Sequence, residues 1–207
     1  MDVNMIKEII KVAKRMDDKG MCNAFEGNVS AKKDGLLYIT PSGQNKAYLT
    51  EEMIAVIDED GNQVSGMYKP SSEVKMHAAM YGMRDNIGGV VHSHTPFLTA
   101  YAMCNKTFCP KSNAELLWDH KAIEVLSYGR PGSDDIYKGA QEILDKNVDI
   151  MLLGNHGVLA VGTTVEAAQN KMESAESSAK ISFVAQMIGK ECDLPEDEVE
   201  YLLNLFD

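Results

Sequence analysis

The chain has 207 residues, 44% of them hydrophobic and 25% charged, which is enough apolar content to bury a full core. A formal net charge of −11 and a pI near 4.9 exclude a general attraction to nucleic acid or to an anionic membrane surface, so an anionic ligand has to be held by a local site. No run approaches the roughly 20 apolar residues of a membrane span, and the N-terminus lacks a basic-then-apolar leader. The four cysteines (Cys22, Cys104, Cys109, Cys192) form no CxxC pair. These features read as free thiols in a cytoplasmic protein whose residues 1–207 form a single domain.

Apolar residues at Val3, Ile6, Ile9, Ile10, Ala13 and Met16 recur at three-and-four spacing, which predicts a helix over residues 3–19 closed by Gly20. Glu26-Gly27-Asn28-Val29-Ser30 and Thr40-Pro41-Ser42-Gly43 read as turns, separated by a hairpin signal at Asp34-Gly35 and a strand over 36–39. Such turns can leave backbone N–H groups on a concave surface and bind phosphate without a lysine, or they can simply be turns. Residues 49–53 predict one helical turn and 54–57 a strand. Residues 58–62 form a hairpin tip that lacks the spaced acids of a calcium loop.

Pro70-Ser71-Ser72-Glu73 predicts the start of a helix to about Tyr81, with the serines as caps and Glu73 in the first turn. Helical spacing sets Glu73, His77, Met80 and Tyr81 on one face. His77 reads as a packed core histidine, with a Glu73–His77 metal pair as the alternative. Val90-Val91-His92-Ser93-His94 reads as a strand whose two histidines, at i and i+2, share a face and form a potential chelating pair. Thr95-Pro96 opens a helix to Met103, and residues 114–118 predict a short helix and 122–126 a strand. Ser133-Asp134-Asp135 caps a helix that turns Ile136, Ala140, Ile143 and Leu144 inward. Residues 149–153 form a strand delivering Asn155-His156-Gly157, and 158–161 a second strand. Thr163-x-x-Glu166 has the form of a capping box for a helix to about Ile188. Its small residues Ala167, Ala168, Ala175, Ser178 and Ala179 permit close packing on other elements or on a neighbouring subunit. Residues 194–206 predict a terminal helix.

Three neutral imidazoles with one open position make the usual catalytic zinc site, so His92, His94 and His156 are candidate ligands for one Zn2+ per subunit. Zinc there would polarise a carbonyl and stabilise an enediolate, while a nearby Glu73 would move the proton on the adjacent carbon. That chemistry suits bond cleavage or proton transfer beside a ketone in a phosphorylated sugar. Amide hydrolysis fits less well, because there is no HExxH helix.

Taken together, Gly27-Asn28-Val29-Ser30, Ile39-Thr40-Pro41-Ser42-Gly43, Ser71-Ser72-Glu73, His92-Ser93-His94 and Asn155-His156-Gly157 resemble, in order, the motifs of the class II aldolase/adducin family. The resemblance covers about residues 6–184. It implies an α/β fold with a central, mostly antiparallel sheet flanked by helices, assembled as a homotetramer with sites at subunit interfaces. It places the substrate phosphate on Gly27, Asn28, Ser42, Gly43, Ser71 and Ser72. The metal falls on Glu73, His92, His94 and His156, with Glu73 leaving the metal as acid/base when substrate arrives. The implied reaction is reversible cleavage of a fuculose 1-phosphate-like ketose to dihydroxyacetone phosphate and a short aldehyde. Sugar-phosphate 4-epimerases, a dehydratase and decarboxylases resemble the same scaffold; Glu73, where the epimerases carry aspartate, leans toward the aldolase. A non-catalytic scaffold of the adducin type would not need three histidines and Glu73. One departure stands out: the tyrosine that the family's aldolases borrow from a neighbour to protonate the aldehyde oxygen falls near Asn113. Tyr101, Tyr128 and Glu115 are candidate substitutes, and Tyr201 matches a C-terminal tyrosine of the aldolases.

Overall fold

The computed structural model describes residues 2–205, with the backbone alone for 118–120. Phe206, the predicted end of the last helix, lies outside the described residues. Among the described residues eight strands form one sheet: β1 (Asn28–Lys33), β2 (Leu36–Ile39), β3 (Ala55–Ile57), β4 (Gln63–Ser65), β5 (Gly89–Ser93), β6 (Val125–Leu126), β7 (Ile150–Leu153) and β8 (Gly157–Gly162). They lie in the order β4-β3-β2-β1-β5-β8-β7-β6, and every neighbouring pair is antiparallel except β6 with β7. The chain is therefore α/β with a mostly antiparallel sheet, as the sequence implies.

Alternation along the central strands feeds two separate cores. Val91, Ile150, Leu152, Val158 and Ala160 face one, and Val90, Met151, Leu153, Leu159 and Val161 the other. The first core is covered by α1 (Val3–Asp18), α3 (Pro96–Met103) and α6 (Val165–Ile188), the second by α2 (Val74–Met83) and α5 (Ala140–Leu144). Helix α1 buries Ile6, Ile9, Val12, Ala13 and Met16, and the Asp2 carboxylate accepts from the N–H groups of Asn4 and Met5 to cap it. Val3, expected on the apolar stripe, is exposed in the first turn. The remaining helices are α4 (Ala114–His120) and α7 (Glu196–Leu203). No helix among the described residues is long and apolar enough to cross a membrane.

Several local expectations are corrected by packing. Asn28 to Ser30, expected to be a turn, begin β1, with Asn28 opposite His92 and Ser30 opposite both Val90 and Ile39. The expected helix over 133–144 is broken into a 3-10 turn at Asp134–Tyr137 and α5, because Gly139 between them sits at φ 92°. Its four apolar residues are nevertheless buried. Helix α6 is capped by Thr164 rather than Thr163, its hydroxyl accepting from the Ala167 N–H at 3.0 Å. Helix α2 starts at Val74, so Glu73 occupies the capping position instead of the first turn, and Ser71 Oγ accepts from the Glu73 N–H at 3.3 Å. The strand expected over 122–126 narrows to β6, with Ile123 bridging to Phe108. A 3-10 turn at Lys46–Tyr48 and strand β4 carry no pattern strong enough to have been foreseen.

Gly89 brings β5 against the start of α6 so closely that a Cβ would stand 2.3 Å from the Val165 nitrogen, whereas a Cβ at Gly82 in α2 would meet nothing within 4 Å. Gly89→Ala is expected to destabilise by about 1–3 kcal/mol through overpacking, and Gly82→Ala to stabilise by about 0.5–1 kcal/mol through helix propensity. Urea midpoints of the two variants should move in opposite directions.

Candidate metal and substrate site

The histidines separated in sequence meet because β5 lies beside β8. His92 lies near the end of β5, opposite Asn28 on one side and Leu159 on the other, His94 follows the strand, and His156 occupies the tight turn between β7 and β8. Nε2 of His92 lies 3.1 Å from Nε2 of both His94 and His156, and the ring centroids are 4.9 to 5.0 Å apart. The three form a group that could hold a metal ion. Only a glycine fits behind them: a Cβ on Gly157 would stand 2.6 Å from the Ser93 carbonyl and 2.8 Å from the His94 ring.

The outer nitrogens decide the tautomers. Nδ1–H of His92 donates to the Val158 carbonyl at 2.9 Å, and Nδ1 of His94 faces the Glu26 carboxylate at 3.4 Å. In a neutral ring this leaves Nε2 as a lone pair, so the short approach of His92 to His94 brings two acceptors together with no proton between them. A divalent cation resolves that repulsion, and the carbonyl and carboxylate behind the rings are the outer partners that orient metal-bound imidazoles. Burial favours neutral rings: it draws the His92 pKa down to about 3, and it lowers that of His94 against the pull of Glu26.

Glu73 reaches this cluster from the N-terminus of α2. Its Oε2 is 3.3 Å from His92 Nε2 and its Oε1 is 3.2 Å from His156 Nε2, yet the buried Oε1 makes no hydrogen bond among the described residues. Burial alone would raise the carboxyl pKa, but the attraction of the carboxylate to His92 in its charged form, together with His156 and the Asn28 N–H, outweighs it and holds the group well below the usual carboxylate range. An orphaned, ionised oxygen beside three imidazoles fits a cation-binding set of three histidines and one carboxylate. His77 does not join it. The ring is fully buried, as a core histidine should be, but it sits in a polar chain with Asn28 and Ser30 on β1.

The residues matched to a phosphate pocket fall on adjoining loops. Pro41 bridges to Pro70, Ser42 N–H donates to the Lys69 carbonyl, and Ser71 N–H donates to the Thr40 carbonyl, which places Ser42 and Gly43 beside Ser71 and Ser72. Gly27 lies next to Asn28 at φ 75°, a conformation that favours glycine, and a Cβ there would stand tightly against the His92 carbonyl at 3.0 Å. One N–H of the Asn28 amide donates to Glu73 Oε2 at 2.8 Å. Sequence reasoning missed Glu26 and Lys46. The Lys46 side chain is buried, and its ammonium donates to the carbonyls of Gln44 at 2.8 Å and Phe25 at 3.3 Å, tying the two loops together. Nothing local marks a lysine as buried, although Glu26 stands directly before the Gly27-Asn28 motif. Asn113 caps α4 and lines a cleft of about 420 Å³ with Ser178, Ile181 and Ile188, on a wall of this chain that carries none of the three clustered histidines. Tyr101 packs on Phe108, and Tyr128 and Tyr201 are exposed.

A family model described as Class II Aldolase and Adducin N-terminal domain matches residues 7–183. The chain belongs to this family. Among curated relatives, the L-fuculose phosphate aldolase of Methanococcus vannielii is 32% identical, over 89% of this chain and 99% of that one. The 3-oxo-tetronate 4-phosphate decarboxylase of Haemophilus influenzae is 30% identical over 86% of each chain. A solved structure of L-fuculose 1-phosphate aldolase superposes with a TM-score of 0.89 at 30% identity, covering 100% of this class II aldolase chain and 97% of the other.

Substituting Gly157→Ala in this family member should push the two rings apart and weaken divalent-cation binding at least about tenfold, measured by competition with a chelating dye. Acid stability gives a second test. Burial lowers the His77 pKa to about 4 from an ordinary value near 6.5. Between those values the unfolded chain binds the extra proton, so stability should rise with pH across that window and fall as acid is added. His77→Gln should flatten that slope in urea titrations of the metal-free protein.

Proposed function

We propose that this protein is a class II aldolase that uses a divalent metal, zinc in the first instance, to cleave a ketose 1-phosphate reversibly into dihydroxyacetone phosphate and a short aldehyde. The observation that carries the reading is the convergence of His92, His94 and His156 beside the Glu73 carboxylate, which faces His92 through Oε2 and His156 through an unpartnered Oε1. The aldolase names of similar proteins support it. His92, His94, His156 and Glu73 would hold the metal, which supplies Lewis-acid polarisation of the substrate carbonyl when bound. Gly27, Asn28, Ser42, Gly43, Ser71 and Ser72 would receive the phosphate, with the serine hydroxyls rather than the Ser42 and Ser71 N–H groups, which donate to backbone carbonyls, facing an anion that the acidic chain would otherwise repel. Glu73, ionised and held in a dry wall of the site, would take the proton from the carbon beside the carbonyl and return it in the reverse direction.

We read the working form as a homotetramer with sites at subunit interfaces, in the cytoplasm. The C-terminal half of α6 supports assembly: Ile181, Phe183, Met187 and Ile188 are exposed, and Tyr201 stands exposed on α7. A neighbour seated there would cover this apolar surface.

The test is incubation of the zinc-loaded protein with a panel of phosphorylated ketoses and sugar acids, followed by product analysis. Release of dihydroxyacetone phosphate is expected; release of carbon dioxide, or epimerisation without cleavage, would replace the aldolase reading. Glu73→Gln should keep zinc within about tenfold of normal affinity and lose about 10²–10⁴-fold of the exchange of the carbon-bound proton of dihydroxyacetone phosphate with solvent. Unchanged exchange would remove Glu73 from the proton step.

A further inference from the structure

Behind Glu73 runs a buried hydrogen-bond chain that the proposed reaction does not use. Glu73 Oε2 meets Asn28 Nδ2 at 2.8 Å, Asn28 Oδ1 meets His77 Nε2 at 2.5 Å, His77 Nδ1 meets Ser30 Oγ at 2.6 Å, and Ser30 Oγ meets the Tyr81 hydroxyl at 2.7 Å. Every member is buried, and His77 and Ser30 are completely so. The sheet and helix create it together: Asn28 and Ser30 are two apart on β1 and share a face, while Glu73, His77 and Tyr81 are four apart along the α2 side.

The direction of each bond is forced by what its partner can do. An ionised carboxylate only accepts, so the Asn28 group facing Glu73 is the NH2, and the group facing His77 is the carbonyl oxygen. That oxygen also only accepts, so His77 Nε2 carries the proton. The ring is completely buried and neither of its nitrogens faces a carboxylate, so it is neutral, Nδ1 is the lone pair and the Ser30 hydroxyl donates to it. With its single proton spent, Ser30 accepts from Tyr81. All four donors therefore point toward Glu73, and one tautomer of His77 fixes one orientation of the Asn28 amide.

We propose that His77 is a positioning residue: acting through Asn28 it anchors Oε2 of Glu73 and leaves Oε1 as the oxygen that faces the cation and takes the proton. This rests on the reading of Glu73 as the acid/base, and it gives one N–H of the Asn28 amide to the carboxylate while the second stays available to the substrate phosphate. Removing the His77 donor would let the Asn28 amide rotate its oxygen toward the carboxylate, and Glu73 would lose its anchor.

The decisive test combines tautomer and kinetics. In metal-free protein labelled with 15N-histidine, the His77 signal, identified by its loss in His77→Gln, should report a protonated Nε2 and a bare Nδ1; the opposite tautomer would overturn the proposal. In the zinc-loaded enzyme, His77→Phe should lower kcat by about tenfold to a hundredfold with KM within about twofold. His77→Gln, whose amide N–H reaches as far as Nε2, should recover kcat to within about threefold. Equal losses in both variants would mean that the ring only fills space, and the proposal would fall. Should His77→Phe fail to fold, His77→Leu serves instead: it too removes the donor to Asn28 and should reduce kcat to the same extent, and an unchanged kcat would overturn the relay. If no phosphosugar is turned over, the aldolase reading fails, while the nitrogen signals still decide the orientation of the chain.

Discussion

Two histidine lone pairs pressed together at 3.1 Å, with a carboxylate on each flank, are the constraint on which the rest of the molecule depends. His92, whose Nδ1–H is spent on the Val158 carbonyl, can only accept at Nε2, and His94, with Nδ1 toward Glu26, is oriented to present a second lone pair to it. A fold that brings those lone pairs together suits a cation between them. The backbone around them is built to hold that arrangement: Val158 supplies the carbonyl that fixes one ring, and Gly157 lets two strands approach where any side chain would collide.

The sheet order explains how so few residues suffice. Placing β5 between β1 and β8 sets Asn28, His92 and Leu159 in one row across three strands, and α2 then delivers Glu73 onto that row from the side of the second core. The same layer carries the chain through His77 to Tyr81, so the polar seam is continuous from the open cluster into the interior. Packing on the opposite face is apolar, which gives the strands a rigid backing. Rigidity matters here, because a site whose chemistry depends on angstrom-scale placement must not share the motions of surface loops.

Much of this is legible in the residues themselves. The i, i+2 spacing of His92 and His94 announces a shared face, the helical spacing of Glu73, His77 and Tyr81 a shared side, and the family motifs together supply the sheet and the third histidine. What periodicity cannot supply are the partners of buried polar groups. Asn28 reads as part of a turn because Gly-Asn pairs favour turns, yet tertiary pairing with His92 draws it into a strand. Spacing sets His77 among methionines, whereas the ring answers to Asn28 and Ser30, residues nearly fifty positions away. The burial of Lys46 and the break at Gly139 have the same origin, since both are settled by contacts distant in sequence.

X-ray absorption spectroscopy of the zinc-loaded protein examines the central claim most directly. The account predicts a first shell containing three imidazole nitrogens at about 2.0–2.1 Å together with oxygen, and loss of one imidazole in His156→Ala. A shell of oxygen or sulfur ligands without histidine, or a spectrum unaltered in that variant, would contradict it.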